Sequence, residues 1–359
     1  MAKTTRQWMA RRRNLTERQY LALAAVRAAE RAETSLPQSR RAVRLLALDR
    51  VMRRPQLDDR LEVIIPAPLR LAWHGPDVQE VRAGVAADAV VIGKFDIRDS
   101  VRLRAAYADE GVTLAIQPPR PDSWSGIARA VEAHGIVDRH APGLMPRLLG
   151  HGVVRDELPY LVEAWVDGHP LISAESLDEA ASEILEAIGS IHRGYGVTRV
   201  PVGECWGGGL VHRWAETVEI LSPDLATVAT DMISRDHTLR CSRSHGDMVA
   251  SNILRTGDGI VLVDWENASV APIMRDAAKL HLYSATPEKT LRLIIEAMGE
   301  ATPARAYTPR EELALVHAQL LSLNSRRRAE LEGHPRSDVY KEQARRQVVR
   351  MREALQLGA

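Results

Sequence analysis

The spacing of apolar positions divides the chain into three textures. Over residues 15–33, LTERQYLALAAVRAAERAE, apolar residues recur at helical spacing in an Ala/Leu/Arg/Glu-rich background, with Thr16 and Glu17 near the expected start. SLPQSRRAVRLLALDRVMRR predicts a second helix with Pro37 in its first turn. From about residue 60 the apolar runs become short, alternating or continuous, and are punctuated by turn residues: LEVIIPAPLRL, ADAVVIGKFDI, VRLRAAYAD and VTLAIQP. These predict strands, with ADEG (108–111) as a hairpin turn between the last two. SWSGIARAVEAHGIV predicts a helix opened by Ser123 or Ser125, and LMPRLLGHGVVRDELPYLVEAWVDG returns to strands around an Asp-Glu turn. After Gly168 helical spacing dominates, beginning with SLDEAASEILEAIGSIHRGYG, where Ser176 is the expected N-cap and Gly194 lies near the stop. One hairpin interrupts the helices: NILR, the turn TGDG, then IVLVD. From Asp276 to Ala359 the pattern is again helical.

The expected fold is therefore α+β: a helical N-terminal extension (1–58), a small β-rich lobe (59–165) and a larger, mainly helical lobe (166–359) with one embedded hairpin. Two lobes imply a cleft, and clefts hold ligands. The 359 residues, 45% of them hydrophobic, suffice to bury cores for both.

Charge changes this picture only locally. The formal net charge of +1 argues against a general electrostatic grip on nucleic acid or acidic membrane. Residues 1–54, however, carry many arginines against only Glu17, Glu30, Glu33 and Asp49. These read as a solvated helix face packed around the small lobe, or as a surface for a protein partner. Cys205 and Cys241 are the only cysteines, far apart in sequence and outside any CxxC pattern, so neither a zinc site nor a disulfide framework is expected and a reducing cytoplasmic setting fits best. The basic start MAKTTRQWMARRR resembles a leader n-region, but Arg27 and Glu30 break the apolar run that follows. No run reaches the roughly 18 apolar residues of a membrane span.

The chemistry concentrates in SHGDMVASNILRTGDGIVLVDWEN, Ser244 to Asn267. Phosphoryl transfer needs an acceptor for the substrate hydroxyl proton, oxygens for a metal ion, and positive charge on the phosphates. Asp247 and Asn252 lie on a loop leading into a strand, and Asp264 ends the partner strand; a hairpin brings such ends together, and hard oxygens of this kind suit Mg2+.

HGDMVASN followed by LVDWE resembles the HGDxxxxN and D-x-E/D motifs of the aminoglycoside phosphotransferase/choline kinase-like superfamily, which has a protein-kinase-like bilobal fold. YLVEAWVDGHPL resembles its interlobe hinge, AIGSIH its helix before the catalytic loop, and RDAAKL the segment after the metal-binding Asp. The resemblance implies an ATP-dependent kinase acting on a small-molecule hydroxyl, with Asp247 as catalytic base and Asn252 and Asp264 as Mg2+ ligands. By the same analogy, backbone groups around Glu163 to Val166 hold adenine, while His245 and Asp276 are structural. His192, ending an apolar helix face, reads as packed rather than catalytic.

The usual strand lysine is missing. Aligning VTLAIQP with that strand puts Gln117 in its place, with Glu132 as the nominal helix partner. A glutamine donates a hydrogen bond without charge, and charge-assisted contacts are about twice as strong. Among the chain's five lysines only Lys94 falls in the small lobe, within VVIGKFDIRDSVRLR, where the phosphate loop also lacks a GxGxxG turn. Ser100 and backbone N–H groups would then meet phosphate, with Lys94, Arg98, Arg102 or Arg104 replacing the lysine. Gln117 and the glycine-poor loop leave two other readings open: a kinase-fold binding or scaffold protein without phosphoryl transfer, and a nucleotidyl transferase on the same fold. CWGGGL (205–210) lacks a Lys-Ser/Thr pair and reads as a flexible loop. Trp206 and Trp214 are candidates for lining an acceptor pocket or for packing, and Asp224, Asp231 and Asp236 for meeting a cationic acceptor, although Arg213, Arg235 and Arg240 are mixed among them.

Overall fold

The computed structural model describes residues 61–64, 89–95, 100–107, 111–116, 126–154, 158–171, 173–206, 208–235, 237–299, 303–330 and 337–357. The expected helices over 15–33 and 35–54 lie outside these residues, as do Arg98, Gln117, the caps Ser123 and Ser125, and Asp236. The chain forms two compact units. One contains the residues up to Asp138, Pro142–Pro170 and Ile253–Asn267; the other contains Arg139–Ala141, Leu171–Asn252 and Ala268–Ala359.

In the first unit the short apolar runs become strands β1 (Leu61–Ile64), β2 (Ala89–Phe95), β3 (Ser100–Tyr107), β4 (Val112–Ile116), β5 (Leu148–Val154) and β6 (Leu158–Ala164). They make one antiparallel sheet in the order β1-β2-β3-β4-β6-β5. Antiparallel neighbours need only short connections, consistent with the turn residues between the runs. Helix α1 (Gly126–His140) buries Ile127, Ala130, Ala133, His134 and Val137, a stripe at helical spacing. Leu114 and Val162, opposite each other in the β4–β6 pair, are buried on one face of the sheet, and Leu161, opposite Ala115, is buried on the other.

The predicted hairpin is present in the same unit. β10 (Ile253–Thr256) pairs with β11 (Gly259–Leu262), Thr256 opposite Gly259, and on its other side with the two-residue β7 (His169–Pro170). Gly168 permits that last pairing, because a Cβ there would stand 2.9 Å from the Arg255 carbonyl oxygen. The Leu262 N–H donates to the Leu144 carbonyl at 2.7 Å, tying the hairpin to the segment before β5.

The second unit is mainly helical, and its first helix differs from expectation. The predicted single helix splits at Ala180 into α2 (Ala174–Glu179) and α3 (Ala181–Tyr195). Ser173, not Ser176, is the N-cap: its hydroxyl accepts from the Ser176 N–H at 3.1 Å, while the Ser176 hydroxyl accepts from the Ser173 N–H at 3.2 Å. This reciprocal box satisfies two otherwise unpartnered donors, where Ser176 as cap would satisfy one. The helix ends at Tyr195, next to Gly194 as expected, and Gly196 is the cap, its N–H donating to the His192 carbonyl.

The described residues of CWGGGL are helical rather than a loop, Gly207 lying outside them. Cys205 and Trp206 close α4 (Val202–Trp206) and Gly208 opens α5 (Gly208–Val218), where helix-start geometry tolerates glycine. α6 (Pro223–Ser234), α7 (Met274–Tyr283), α8 (Pro287–Met298), α9 (Pro309–Glu330) and α10 (Ser337–Leu355) complete the helices, the last four matching the expected helical stretch from Asp276 onward.

A three-stranded sheet escaped the hydrophobic pattern: β8 (Thr198–Pro201), β9 (Thr238–Ser244) and β12 (Ser269–Pro272), with β9 in the centre. β9 reads TLRCSRS, polar enough to look exposed, yet it is buried from Leu239 onward. Arg240, Ser242 and Ser244 are paired instead of solvated. Arg240 donates from Nε to Glu312 Oε2 and from Nη1 to the Met298 carbonyl, both at 2.8 Å, and the Ser242 hydroxyl donates to the Gly196 carbonyl at 2.8 Å. Burying a polar group is costly unless it is bonded, and these three side chains find their bonds through partners distant in sequence. Among the described residues no helix is long and apolar enough to cross a membrane.

Candidate active site

β9 delivers the HGD loop. Past Ser244 the chain turns through buried His245 and through Gly246, whose φ of 81° lies in the region that favours glycine. One side chain organises this turn: Asp276, in the first turn of α7 and 2% exposed. Its carboxylate accepts the Ser244 hydroxyl at 2.9 Å, the His245 N–H at 2.7 Å and the Gly246 N–H at 2.9 Å. Near the positive end of a helix a carboxylate is favoured, and here it fixes the backbone that presents the next residue.

That residue is Asp247. Its N–H donates to His245 Nδ1 at 3.2 Å, so this ring nitrogen is the acceptor and the other carries the proton. Its backbone carbonyl accepts from Asn252 Nδ2 at 2.9 Å, closing the loop between the two motif residues. Asn252 ends a 3-10 turn (Ala250–Asn252) and is 2% exposed, and the bond orients its amide with the nitrogen toward the loop. The Asp247 carboxylate itself is gripped by Lys279, with Nζ 2.6 Å from Oδ1.

Lys279 stands three residues after Asp276 on α7, hence on the same helix face. One helix thus holds the loop twice, its backbone through Asp276 and its carboxylate through Lys279. Sequence reasoning missed this residue, although RDAAKL contains the signal: a helical Asp read as structural, with a lysine one turn along.

Asp264 belongs to the other unit. It follows β11 and precedes a 3-10 turn (Trp265–Asn267) anchored by Trp265, whose indole N–H donates to the Leu262 carbonyl at 2.8 Å. Its φ is 71°, in the left-handed region that non-glycine residues enter at some cost and where Asp is among the more tolerant. Such backbone strain concentrates at functional positions. An amide oxygen, such as that of Asn252 in one unit, and a carboxylate, such as that of Asp264 in the other, are each by chemistry the hard donor type that Mg2+ takes. Among the described residues no cluster of three or more His, Cys, Asp and Glu could hold a metal ion.

The remaining predicted residues fall as follows. In the β2–β3 pair Ser100 stands opposite Phe95, Arg102 opposite Gly93 and Arg104 opposite Val91, whereas Lys94, opposite Val101, is out of step by one residue. Glu163 on β6 is buried and its carboxylate lies 2.9 Å from His134 Nε2 on α1. The helix reaches the sheet through His134; Glu132, the nominal partner of Gln117, is exposed, and Gln117 lies outside the described residues. The N–H groups after Glu163 go to protein partners, Ala164 to the Arg147 carbonyl and Trp165 to that of Gly111; Val166 lies past the strand end and is half-buried.

His192 is packed as expected, and burial lowers its pKa to about 4. Trp206 and Trp214 are buried against each other edge to face, 6.2 Å apart, and the Trp214 indole donates to Thr230. This is core packing. Asp231 pairs with Arg235 and Asp224 with Arg352, so both expected acceptor carboxylates have intramolecular cations.

A carboxylate steadied by a lysine just past the end of a buried strand, with an amide five residues on bonded back to the backbone carbonyl of the same Asp247, is equipment suited to phosphoryl transfer. The chain belongs to the phosphotransferase enzyme family, which matches residues 114–313, more than half of its 359 residues. The resemblance read from HGDMVASN and LVDWE thus holds, and with it the protein-kinase-like α+β fold.

Solved structures similar to the chain include a choline/ethanolamine kinase family protein from Mesorhizobium loti (18% identity, TM-score 0.47, covering 74% of this chain and 87% of that one). Another is the GDP complex of an aminoglycoside 2'-phosphotransferase-IIIa mutant (12% identity, TM-score 0.49, covering 76% and 93%). A third is an ethanolamine kinase from Plasmodium vivax (11% identity, TM-score 0.42, covering 73% and 81%). No curated protein matches the chain.

Proposed function

We propose that the protein is an ATP-dependent kinase that moves the γ-phosphoryl group to a hydroxyl of a small molecule, with Asp247 as the base. The observation that carries this reading is the double hold of α7 on the HGD loop: Asp276 fixes its backbone and Lys279 its catalytic carboxylate. A residue that merely punctuated a turn would need neither.

In this reading the acceptor hydroxyl donates to the Asp247 carboxylate, which orients the oxygen for attack and takes its proton as the new P–O bond forms. The transition state is loose, so orientation counts for more than basicity. Lys279 holds the carboxylate in one rotamer, in which it orients the acceptor hydroxyl. An acceptor oxygen within hydrogen-bond reach of Asp247 also lies within a few ångströms of Lys279. The ammonium therefore adds positive charge near the phosphoryl group in flight, the quantity that Gln117 does not supply. Asn252 and Asp264 are each proposed as an oxygen ligand of Mg2+, which when bound neutralises charge on the nucleotide phosphates. Ser100, Lys94, Arg102 and Arg104 remain the proposed phosphate-contacting set of the sheet, and the backbone from Glu163 to Val166 the proposed adenine contact. A cytoplasmic setting completes the reading.

The test is incubation with Mg2+ and ATP and a panel of sugars, amino sugars, aminoglycosides and amino alcohols, followed by mass spectrometry of the acceptors. An acceptor that gains a phosphate supports the reading. Gain of a whole nucleotide identifies a nucleotidyl transferase instead, and no adduct together with no nucleotide consumption leaves a binding protein.

A further inference from the structure

The chain's two cysteines, 36 residues apart, meet in the fold: Cys205 Sγ lies 3.5 Å from Cys241 Sγ. Cys205 stands near the end of the five-residue helix α4 and is partly exposed, whereas Cys241 is buried at the middle of β9. Thiol pairs in contact have three ordinary fates: inert packing, metal binding or oxidation. A metal needs more donors than two thiols, commonly four for zinc, and no group of three or more such residues occurs among the described residues. Inert packing suits two buried thiols, since a buried cysteine behaves as a small apolar side chain. Here one thiol of the pair is reachable from solvent.

We propose that Cys205 and Cys241 form a reversible intramolecular disulfide linking α4 to β9, with a low-molecular-weight disulfide, glutathione disulfide, as the oxidant. The sulfurs must approach from 3.5 Å to about 2.05 Å, a movement small enough for a short helix to supply. The division of labour follows from exposure. Cys205 is the attacking thiol and Cys241 the resolving one. The hydrogen bond with Cys241, aided by the positive charge of Arg275, lowers the Cys205 thiol below its ordinary range, while the same contact and burial push Cys241 up. A thiolate is the nucleophile in exchange, so the asymmetry favours the order proposed.

In the first step the Cys205 thiolate attacks one sulfur of glutathione disulfide. A Cys205–glutathione bond forms, the glutathione S–S bond breaks, and one glutathione leaves as thiolate. In the second step Cys241 gives its proton to a departing thiolate and attacks Cys205 Sγ, releasing the second glutathione. Two protein thiols are oxidised by two electrons, and one glutathione disulfide is reduced to two glutathiones.

The site is independent of phosphoryl transfer, and so is its test. Native protein is equilibrated across a series of glutathione redox buffers, its free thiols are trapped with N-ethylmaleimide, and it is digested without reductant for peptide mapping. The expected result is joint loss of both thiols in the monomer, a peptide pair joined through Cys205 and Cys241 and lighter by two hydrogens, and full recovery with dithiothreitol. Cys241→Ala is expected to leave Cys205 carrying one glutathione, and Cys205→Ala to leave Cys241 unmodified. If Cys241→Ala does not fold, the wild-type map decides alone. Two free thiols at the most oxidising ratio would overturn the proposal. So would wild-type protein that stops at a Cys205–glutathione adduct, or a link between two chains.

Discussion

Replacing Lys279 with methionine keeps the length and most of the packing of the side chain but removes the ammonium from Asp247. The paired side chains are 18% and 26% exposed, so the interaction is neither a surface pair nor a fully buried one. Exposed pairs contribute about 0.2–1 kcal/mol, and breaking buried ones costs about 3–5 kcal/mol. Partial screening at this site places the loss between these two ranges and closer to the exposed one, about 1.5 kcal/mol, or roughly tenfold in an equilibrium or rate. If Lys279 acts on the reacting groups, that loss falls on kcat. The assay is Mg2+-dependent phosphate release from ATP with water as acceptor, alongside nucleotide affinity by calorimetry and thermal unfolding. Lys279→Met is expected to lower kcat about tenfold while nucleotide affinity stays within about twofold, and Lys279→Arg to recover most of the rate. Unchanged turnover in Lys279→Met, or an arginine variant as slow as the methionine one, would refute the role.

The neighbouring groups carry their own expectations. Asp276→Asn keeps the shape but turns an amide nitrogen toward N–H donors, so turnover should fall at least tenfold and stability by about 1–3 kcal/mol, read by urea unfolding; a fully active variant would contradict the anchoring role. Glu312→Ala strands buried Arg240 and should cost about 3–5 kcal/mol, whereas the double variant Glu312→Leu with Arg240→Met should lose much less. Burial is the main reason the His192 pKa falls to about 4, with the charges of Arg240 and Arg193 adding to it and Asp276 opposing. The unfolded chain takes up a proton near pH 6.5 and the folded chain does not, so this stability is complete above pH 6.5 and fades as pH falls toward 4. The window corresponds to about 3 kcal/mol, and urea midpoints should show a shallower acid loss in His192→Gln. Burial lowers the pKa of His281 and His317 in the same direction.

Where apolar periodicity and turn chemistry speak directly, the fold was legible: β2, β3 and the β10–β11 hairpin all follow the runs that predict them. The HGD motif was legible for a different reason, because Asp247, Asn252 and Asp264 keep their spacing within one stretch, which identified the family. β9 was not, since Arg240, Ser242 and Ser244 look solvated until Glu312, Gly196 and Asp276 arrive from elsewhere in the chain. The same holds for each pairing across sequence. Lys279 reaches Asp247 over 32 residues and Cys205 reaches Cys241 over 36, distances at which periodicity says nothing and only the tertiary fold decides. The split at Ala180 is a finer miss, turning on whether Ser173 or Ser176 holds the reciprocal capping bond.

The central claim is that Asp247 performs phosphoryl transfer, and it is tested most directly by comparing wild type with Asp247→Ala for Mg2+-dependent ATP binding and for ATP consumption. The account predicts that both bind nucleotide with similar affinity and that consumption falls about a hundredfold or more in the variant, the usual contribution of a positioned base. A wild-type protein that does not consume ATP with any acceptor, or a variant that consumes it as fast as wild type, would contradict it.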